Sequence, residues 1–418
     1  MAHSADVPQH RRNLLAILQA ALAAVNGRHA VREHLRGNPL AGEIYAVAVG
    51  KAAGAMIAGA FDALGGRIAR GLVITKTGHS EAHLFDALPV TCLEAAHPLP
   101  DERSLQAGAA LLDFVRAVPP EGRLLFLISG GTSSLVESLP PGLGLGELHQ
   151  ANAWLLASGL DIGQINRVRK ALSCIKAGRL AAHLGGRRAL VLLISDVQGD
   201  EPSTIGSGML SPDTSPHDLA DLPLPEWLTA WTRLAPPAPG PDDPVFRNVE
   251  TRIVASLDIA RRAAAERARG LGYRVFPHEE FVAGDAVAAG TRLARETMSG
   301  PIGLHVWGGE TTVRLPPDPG RGGRNQSLAL AAAMEFAGQP DVLLAALGTD
   351  GTDGPTEEAG ALVDGETVSR AQLAELDAGQ CLARADAGTC LAASGDLIHT
   401  GPTGTNVMDL ILGLKFGA

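Results

Sequence analysis

The chain has 418 residues, which at about 150 residues per domain leads us to expect two or three domains rather than one core. Hydrophobic residues make up 45% and charged residues 19%, a composition that buries a substantial core and excludes wholesale disorder. The net charge of -10 argues against a duplex nucleic-acid binder, and no run of 18 apolar residues is present to span a membrane.

Glycine is abundant, with 50 residues, and collects where the backbone must bend or approach a neighbour closely. Of the 35 basic residues only Lys51, Lys76, Lys170, Lys176 and Lys415 are lysines, so a lysine in a glycine-rich loop stands out. Cys92, Cys174, Cys381 and Cys390 form neither a CxxC pair nor a zinc-type spacing, which fits a reduced cytoplasmic protein.

In chain order, Arg11-Arg12 ahead of Leu14–Leu18 superficially resembles an export signal. Leu14, Ile17, Leu18, Leu22 and Val25 fall at helical spacing, however, and predict an amphipathic first helix ending at Asn26-Gly27. Ile44–Val49, Leu72–Ile74, Leu124–Ile128 and Leu190–Ile194 are short apolar runs, each stopping at glycine, serine or threonine. They read as buried strands of a parallel sheet with helices between them. Nine prolines between Pro212 and Pro244 mark a boundary or surface excursion. Beyond it, Val249 to Arg269 reads as a long helix, Tyr273 to Phe276 as a strand and Ala286 to Met298 as a helix. Ile302–Trp307 and Val342–Leu347 read as further strands. The fold class is therefore α/β: a doubly wound, Rossmann-like parallel-sheet domain over 1–245, then a smaller α/β domain with a mixed sheet over 246–418.

Ligands of such sheets gather at the carboxyl ends of strands. The first such end is Gly50-Lys51-Ala52, where a helix N-terminus and an ammonium would favour a phosphate or carboxylate. The alternative is a solvated lysine beside a packing glycine. Ser129-Gly130-Gly131-Thr132-Ser133 offers backbone donors and hydroxyls suited to oxyanions, or else a tight capped turn. Asp196 and Asp200 follow a third strand, and Asp350 and Asp353 follow a later one; carboxylates there hold Mg2+, orient a hydroxyl, or simply form Asx turns. Arg324, with Asn325, opens a helix after a glycine-rich loop and offers a planar fork to an anion, and Thr405 lies in another polar loop.

Lys76-Thr77-Gly78-His79, His97-Pro98-Leu99-Pro100-Asp101, Asn166-Arg167-Val168-Arg169-Lys170, Trp307-Gly308-Gly309-Glu310 and Gly401-Pro402-Thr403-Gly404-Thr405-Asn406 occur in order with these loops. In that joint order the chain resembles the type-2 glycerate kinase family, whose C-terminal portion is the MOFRL domain and whose members often carry the label hydroxypyruvate reductase. The resemblance implies phosphorylation of D-glycerate at the 2-hydroxyl, with ATP and Mg2+, in an interdomain cleft. It carries the family's lysine and arginine over to Lys51 and Arg324. On that reading Lys51 meets the transferring phosphate, Arg324 a carboxylate or phosphate, and Asp196 orients or deprotonates the hydroxyl. Ser129, Gly130, Gly131, Thr132, Ser133, Asn325, Asp350, Asp353 and Thr405 bind substrate or phosphate, and Asp200 or Asp353 holds the metal. The partners are small molecules, with no nucleic acid or membrane, and a homodimer stays open. The rivals are an NAD(P)H-dependent reductase, against which the missing GxGxxG counts, and a non-catalytic sensor of sugar acids or nucleotides.

Overall fold

The computed structural model describes residues 7–80, 85, 87–214 and 219–417. The proline-rich excursion is therefore described except at 215–218. The chain divides into two compact units, one of residues 27–254 and one of residues 1–26 with 255–418.

The helices and strands are α1 (Val7–Val25), α2 (Gly27–Gly37), β1 (Ile44–Val49), α3 (Ala53–Leu64), β2 (Ile68–Lys76), β3 (Val90–Ala95), α4 (Glu102–Arg116) and β4 (Arg123–Ile128). There follow α5 (Thr132–Leu135), α6 (Leu145–Ala157), α7 (Ile162–Ala171), α8 (Arg179–Ala182), β5 (Ala189–Ile194), α9 (Glu226–Thr232), β6 (Val249–Ala255) and α10 (Leu257–Gly270). The remainder are β7 (Val275–Asp285), α11 (Ala286–Ser299), β8 (Gly303–Thr312), α12 (Arg324–Phe336), β9 (Val342–Gly348), β10 (Gly360–Asp364), α13 (Thr367–Leu373), α14 (Ala378–Ala383), α15 (Ala387–Ser394), β11 (Leu397–Ile398) and β12 (Asp409–Lys415).

The unit of residues 27–254 is built on a six-stranded sheet of order β3-β2-β1-β4-β5-β6, with the pairings from β3 to β5 all parallel. β1, β4 and β5 are the fully apolar runs of the sequence, buried on both faces as central parallel strands must be. Strand order reverses between β1 and β4, the place where doubly wound sheets open a crevice for ligands. β3 escapes the sequence reading because it is an edge strand whose residues are mostly only partly buried, so it carries no continuous apolar run.

The other unit has a mixed sheet of order β11-β10-β9-β12-β8-β7, with β7 and β8 parallel and the other paired strands antiparallel. Trp307, Phe336, Leu344 and Ile411 lie in its core. α11 and α12 pack closely because Gly290 has no side chain; a Cβ there would lie 2.1 Å from the Leu328 carbonyl oxygen.

Two boundaries differ from the sequence reading. Val249 to Arg269 is not one helix: Val249–Ala255 is β6, and Ser256 then caps α10 by accepting from the Ile259 N–H. The boundary between the compact units falls at the end of β6, at 254/255, where the sequence reading has it at 245/246. α1, predicted as a helix, belongs with the C-terminal half. It packs on α10, and Arg11 pairs with Asp364 (2.5 Å) and Asp396 (2.8 Å). No single helix among the described residues is long and apolar enough to cross a membrane.

Candidate active site

In the first unit the loops leaving β1 and β4 are stitched together at the switch point. The Lys51 N–H donates to the Gly130 carbonyl (2.9 Å), the Ala52 N–H to Ser129 Oγ (3.1 Å) and the Ser129 N–H to the Val49 carbonyl (3.0 Å). Gly50, at φ 123, permits this approach, since a Cβ there would lie 2.2 Å from Ser129 Oγ. Thr132 Oγ1 donates to the Ser129 carbonyl (2.7 Å), and Ser133 Oγ pairs with Ser207 Oγ (2.6 Å). The hydroxyls of Ser129 and Thr132 thus shape the loop, while Lys51, Gly131 and Ser133 remain partly exposed.

Gly131, at φ 87, adjoins two further groups. A Cβ on it would stand 3.1 Å from His97 Cδ2 and 3.3 Å from both His97 Nε2 and Lys51 Cγ. His97 follows β3. Burial, then the positive charges of Lys51, Lys76 and His79, lower its pKa to about 4, so the imidazole is neutral at physiological pH. The sequence reading met His97 only as part of a motif. Its role needed the fold, because two other strands, β1 and β2, bring the charges to it.

Beneath the β4 loop lies a buried ion pair. Lys176 Nζ donates to Glu137 Oε2 (2.5 Å) and to the Ser133 carbonyl (3.0 Å), and Ser173 Oγ donates to Glu137 Oε1 (2.5 Å). Lys170 pairs with Asp213 at 2.8 Å, also buried. Two of the five lysines are therefore internal supports. Asp196 and Asp200 lie partly exposed beyond β5, the neighbour of β4, where Gly199 (φ 84) and Asp200 (φ 55) make a left-handed turn.

In the second unit Arg324 is the first residue of α12. Asp409, at the start of β12 between Gly309 and Gly348, receives its fork: Nε to Oδ2 at 2.7 Å and Nη2 to Oδ1 at 3.0 Å. Arg324 Nη1 lies 2.9 Å from Glu310. The Asp409 side chain is 2% exposed and that of Arg324 33%, so the carboxylate anchors a cation that still reaches solvent. Burial opposes the charge of Arg324, but Asp409, Glu310 and Asp353 outweigh it and raise its pKa. Burial pushes Asp409 up to about 6 against the pull of Arg324. The sequence signal for Asp409 was an acid opening an otherwise apolar run, Asp409 to Leu414, and it was missed.

Asp353 is turned toward the same helix. Its Oδ1 accepts from the Asn325 N–H (3.0 Å) and Nδ2 (3.3 Å), and its Oδ2 from the Gln326 N–H (2.8 Å). Burial raises its pKa, against these donors. Asp350 makes an Asx turn, accepting from the Thr352 N–H and hydroxyl, each at 3.1 Å. The loop carrying Thr405 is tied to the same strand end through Thr349, which donates to the Met408 carbonyl (2.6 Å) and accepts from the Val407 N–H (2.8 Å). Thr405 Oγ1 and Asn325 Oδ1 are buried with no hydrogen-bond partner among the described residues.

Lys51, Ser129, Gly130, Gly131, Thr132 and Ser133 therefore come together in one unit, with Asp196 and Asp200 on the adjacent strand end. Arg324, Asn325 and Asp353 come together in the other, where the loops of Asp350 and Thr405 adjoin.

A domain-of-unknown-function family, DUF4147, matches residues 13–224, and the MOFRL family matches residues 303–409. The chain is 37% identical to the D-glycerate 2-kinase of Thermotoga maritima over 419 residues, covering 98% of this chain and 99% of that one. It is 36% identical to a putative hydroxypyruvate reductase of Agrobacterium vitis, covering 96% and 93%. A crystal structure of a Thermotoga maritima glycerate kinase aligns with TM-score 0.88 and 35% identity, over 98% of this chain and 100% of that one. With the lysine loop at the sheet's switch point and the anchored arginine opening α12, the chain belongs to the type-2 glycerate kinase family.

Proposed function

We propose that ATP is the donor and the 2-hydroxyl of D-glycerate the acceptor in the glycerate phosphorylation that this family performs. The observation that carries this reading is the placement of Lys51 against Gly131 at the strand-order reversal, where an ammonium and closely apposed backbone can receive a polyphosphate. Phosphoryl transfer asks a protein chiefly for positioning and charge neutralisation. Lys51 neutralises the transferring phosphoryl group. Arg324, held by Asp409, binds glycerate carboxylate or phosphate. Asp196 orients the 2-hydroxyl and accepts its proton.

Among the described residues no three His, Cys, Asp or Glu side chains form an all-protein metal cage. Mg2+ characteristically takes one or two carboxylates and completes its shell with water and phosphate oxygens, and the exposed turn of Asp200 suits that donor set. Asp353 is engaged by α12 and is assigned to support of that helix. When bound, the metal would neutralise phosphate charge.

Purified protein given D-glycerate, ATP and Mg2+ should form ADP and 2-phosphoglycerate. The Agrobacterium relative's name favours testing a second reaction, hydroxypyruvate with NADH. Loss of NADH absorbance without ADP formation would replace the kinase reading by a reductase.

A further inference from the structure

Arg324 is only as fixed as the chain that delivers it. Three of the four residues ahead of it, Gly320, Gly322 and Gly323, are glycine, so the segment has little side chain of its own to pack and much backbone freedom to lose. Its order comes from two flanking segments. On one side lies the loop after β9, where Asp353 receives the first N–H groups of α12 and the Arg321 side chain pairs with the buried Glu358.

On the other side lies the turn between α14 and α15. The Gly320 N–H donates to the Arg384 carbonyl (2.8 Å), the Arg321 N–H to Asp386 Oδ1 (2.8 Å) and the Gly388 N–H to the Arg321 carbonyl (2.8 Å). Glycine on both segments permits this approach: a Cβ on Gly320 would stand 2.6 Å from Asp386 Oδ1, and one on Gly388 would stand 2.6 Å from Gln326 Oε1. Asp386 is itself held, its N–H donating to the Cys381 carbonyl (2.8 Å) and its Oδ1 also accepting from the Thr389 hydroxyl (2.6 Å). The residue before it, Ala385, sits at φ 51, a left-handed conformation that costs a non-glycine residue energy and persists because the surrounding bonds impose it.

The two acids of this region stand in the same place on their helices and do different things. Asp377 precedes α14 and caps it in the ordinary way, accepting from the Gln380 N–H (2.8 Å). Asp386 precedes α15 and makes no side-chain bond to that helix's first turn. Its carboxylate is spent on the glycine segment instead.

We propose that Asp386 is a positioning residue for the glycerate site: it clamps residues 320–323 so that Arg324 enters α12 with its fork on Asp409 and is presented to the substrate carboxylate. The assignment rests on the reading of Arg324 as a glycerate-binding group. A backbone N–H bonded to a carboxylate makes a stronger tether than a neutral pair, and a segment this rich in glycine supplies no substitute when the tether is cut.

The test uses the full chain. Asp386→Ala should raise KM for D-glycerate about tenfold while kcat and KM for ATP stay within about twofold, and Asp386→Asn, which keeps an oxygen acceptor, should restore most of the loss. Thr389→Val, which frees the carboxylate without deleting it, should shift KM the same way by about threefold and serves where Asp386→Ala fails to fold. Asp377→Ala, which removes a helix cap of the same kind, should lower the thermal midpoint and leave KM for D-glycerate unchanged. Independently of activity, the Arg324 Nε–H resonance, identified by its absence in Arg324→Lys, should exchange faster with solvent in Asp386→Ala and not in Asp377→Ala. An Arg324 resonance and a glycerate KM unmoved by Asp386→Ala, a loss shared with ATP, or an equal response to Asp377→Ala would overturn the proposal. Wild-type protein that forms no 2-phosphoglycerate would sink the kinase reading instead, and the Arg324 resonance, recorded without substrates, still decides whether Asp386 holds that arginine.

Discussion

Lys51 and Arg324 are both cations, but their surroundings make them different devices. Lys51 lies with its stem against the side-chain-free face of Gly131, beside the imidazole of His97. Arg324 already has one edge committed to Asp409. Lys51→Ala should therefore lower kcat by about 10³-fold with the thermal unfolding midpoint unchanged, since its loss removes charge from the reacting group and no core contact. Near-normal turnover in a steady-state assay would remove the residue from the chemistry. Asp409→Asn should lower kcat/KM for D-glycerate by roughly 10²-fold, because the half-buried guanidinium loses its charged, two-point anchor.

Asp409 also gives a pH dependence of definite sign. Its folded pKa of about 6 lies above the ordinary carboxyl value, so the native state holds the proton more tightly than the unfolded chain. Its contribution to stability is fully present in acid and is lost as pH rises through about 6. Function runs the other way. Below pH 6 the protonated carboxyl grips Arg324 less firmly, so KM for D-glycerate should rise in wild type while remaining flat in Asp409→Asn. Parallel pH profiles of the two proteins would contradict this role.

At the scale of elements, the β4 loop is carried by buried charge beneath it. Lys176 ties Glu137 to the Ser133 carbonyl, and Ser173 completes the carboxylate's hydrogen bonds. Lys176→Met would strand Glu137 in the interior and should destabilise the protein by about 3–5 kcal/mol in urea unfolding. The double variant Glu137→Gln with Lys176→Met should recover much of that loss. A single variant as stable as wild type would show the pair to be dispensable.

The same scale shows what sequence conveys. β1, β4 and β5 were legible because burial on both faces leaves no polar position to confuse the pattern. β6 was not, since its half-buried residues run straight into an Ala- and Arg-rich helix, and only the Ser256 cap separates them. The reaching side chains were less legible still. Asp350 and Asp353 sit next to glycine like ligand-binding acids, yet one closes a turn and the other caps α12, and the spacing of residues does not tell which way a carboxylate faces.

For the whole molecule, the order of motifs conveyed more than any one of them. Lys51, the Ser129–Ser133 loop and Arg324 were each open to a bland reading, and their sequence along the chain pointed to one family, which the near-full-length relatives bear out. What the linear order could not carry was discontinuity. α1 joins the C-terminal unit through Arg11, Asp364 and Asp396, partners 353 and 385 residues distant, and no local pattern foretells such pairing. His97 and Asp409 were hidden for the same reason, their meaning residing in neighbours from other strands.

The central claim is that this chain moves a phosphoryl group from ATP to the 2-hydroxyl of D-glycerate. Phosphorus NMR of a single reaction mixture containing the protein, D-glycerate, ATP and Mg2+ tests it most directly. The account predicts loss of the ATP γ-phosphorus signal with matched growth of ADP and 2-phosphoglycerate. A 3-phosphoglycerate resonance, or ATP left intact while the same protein oxidises NADH with hydroxypyruvate, would contradict it.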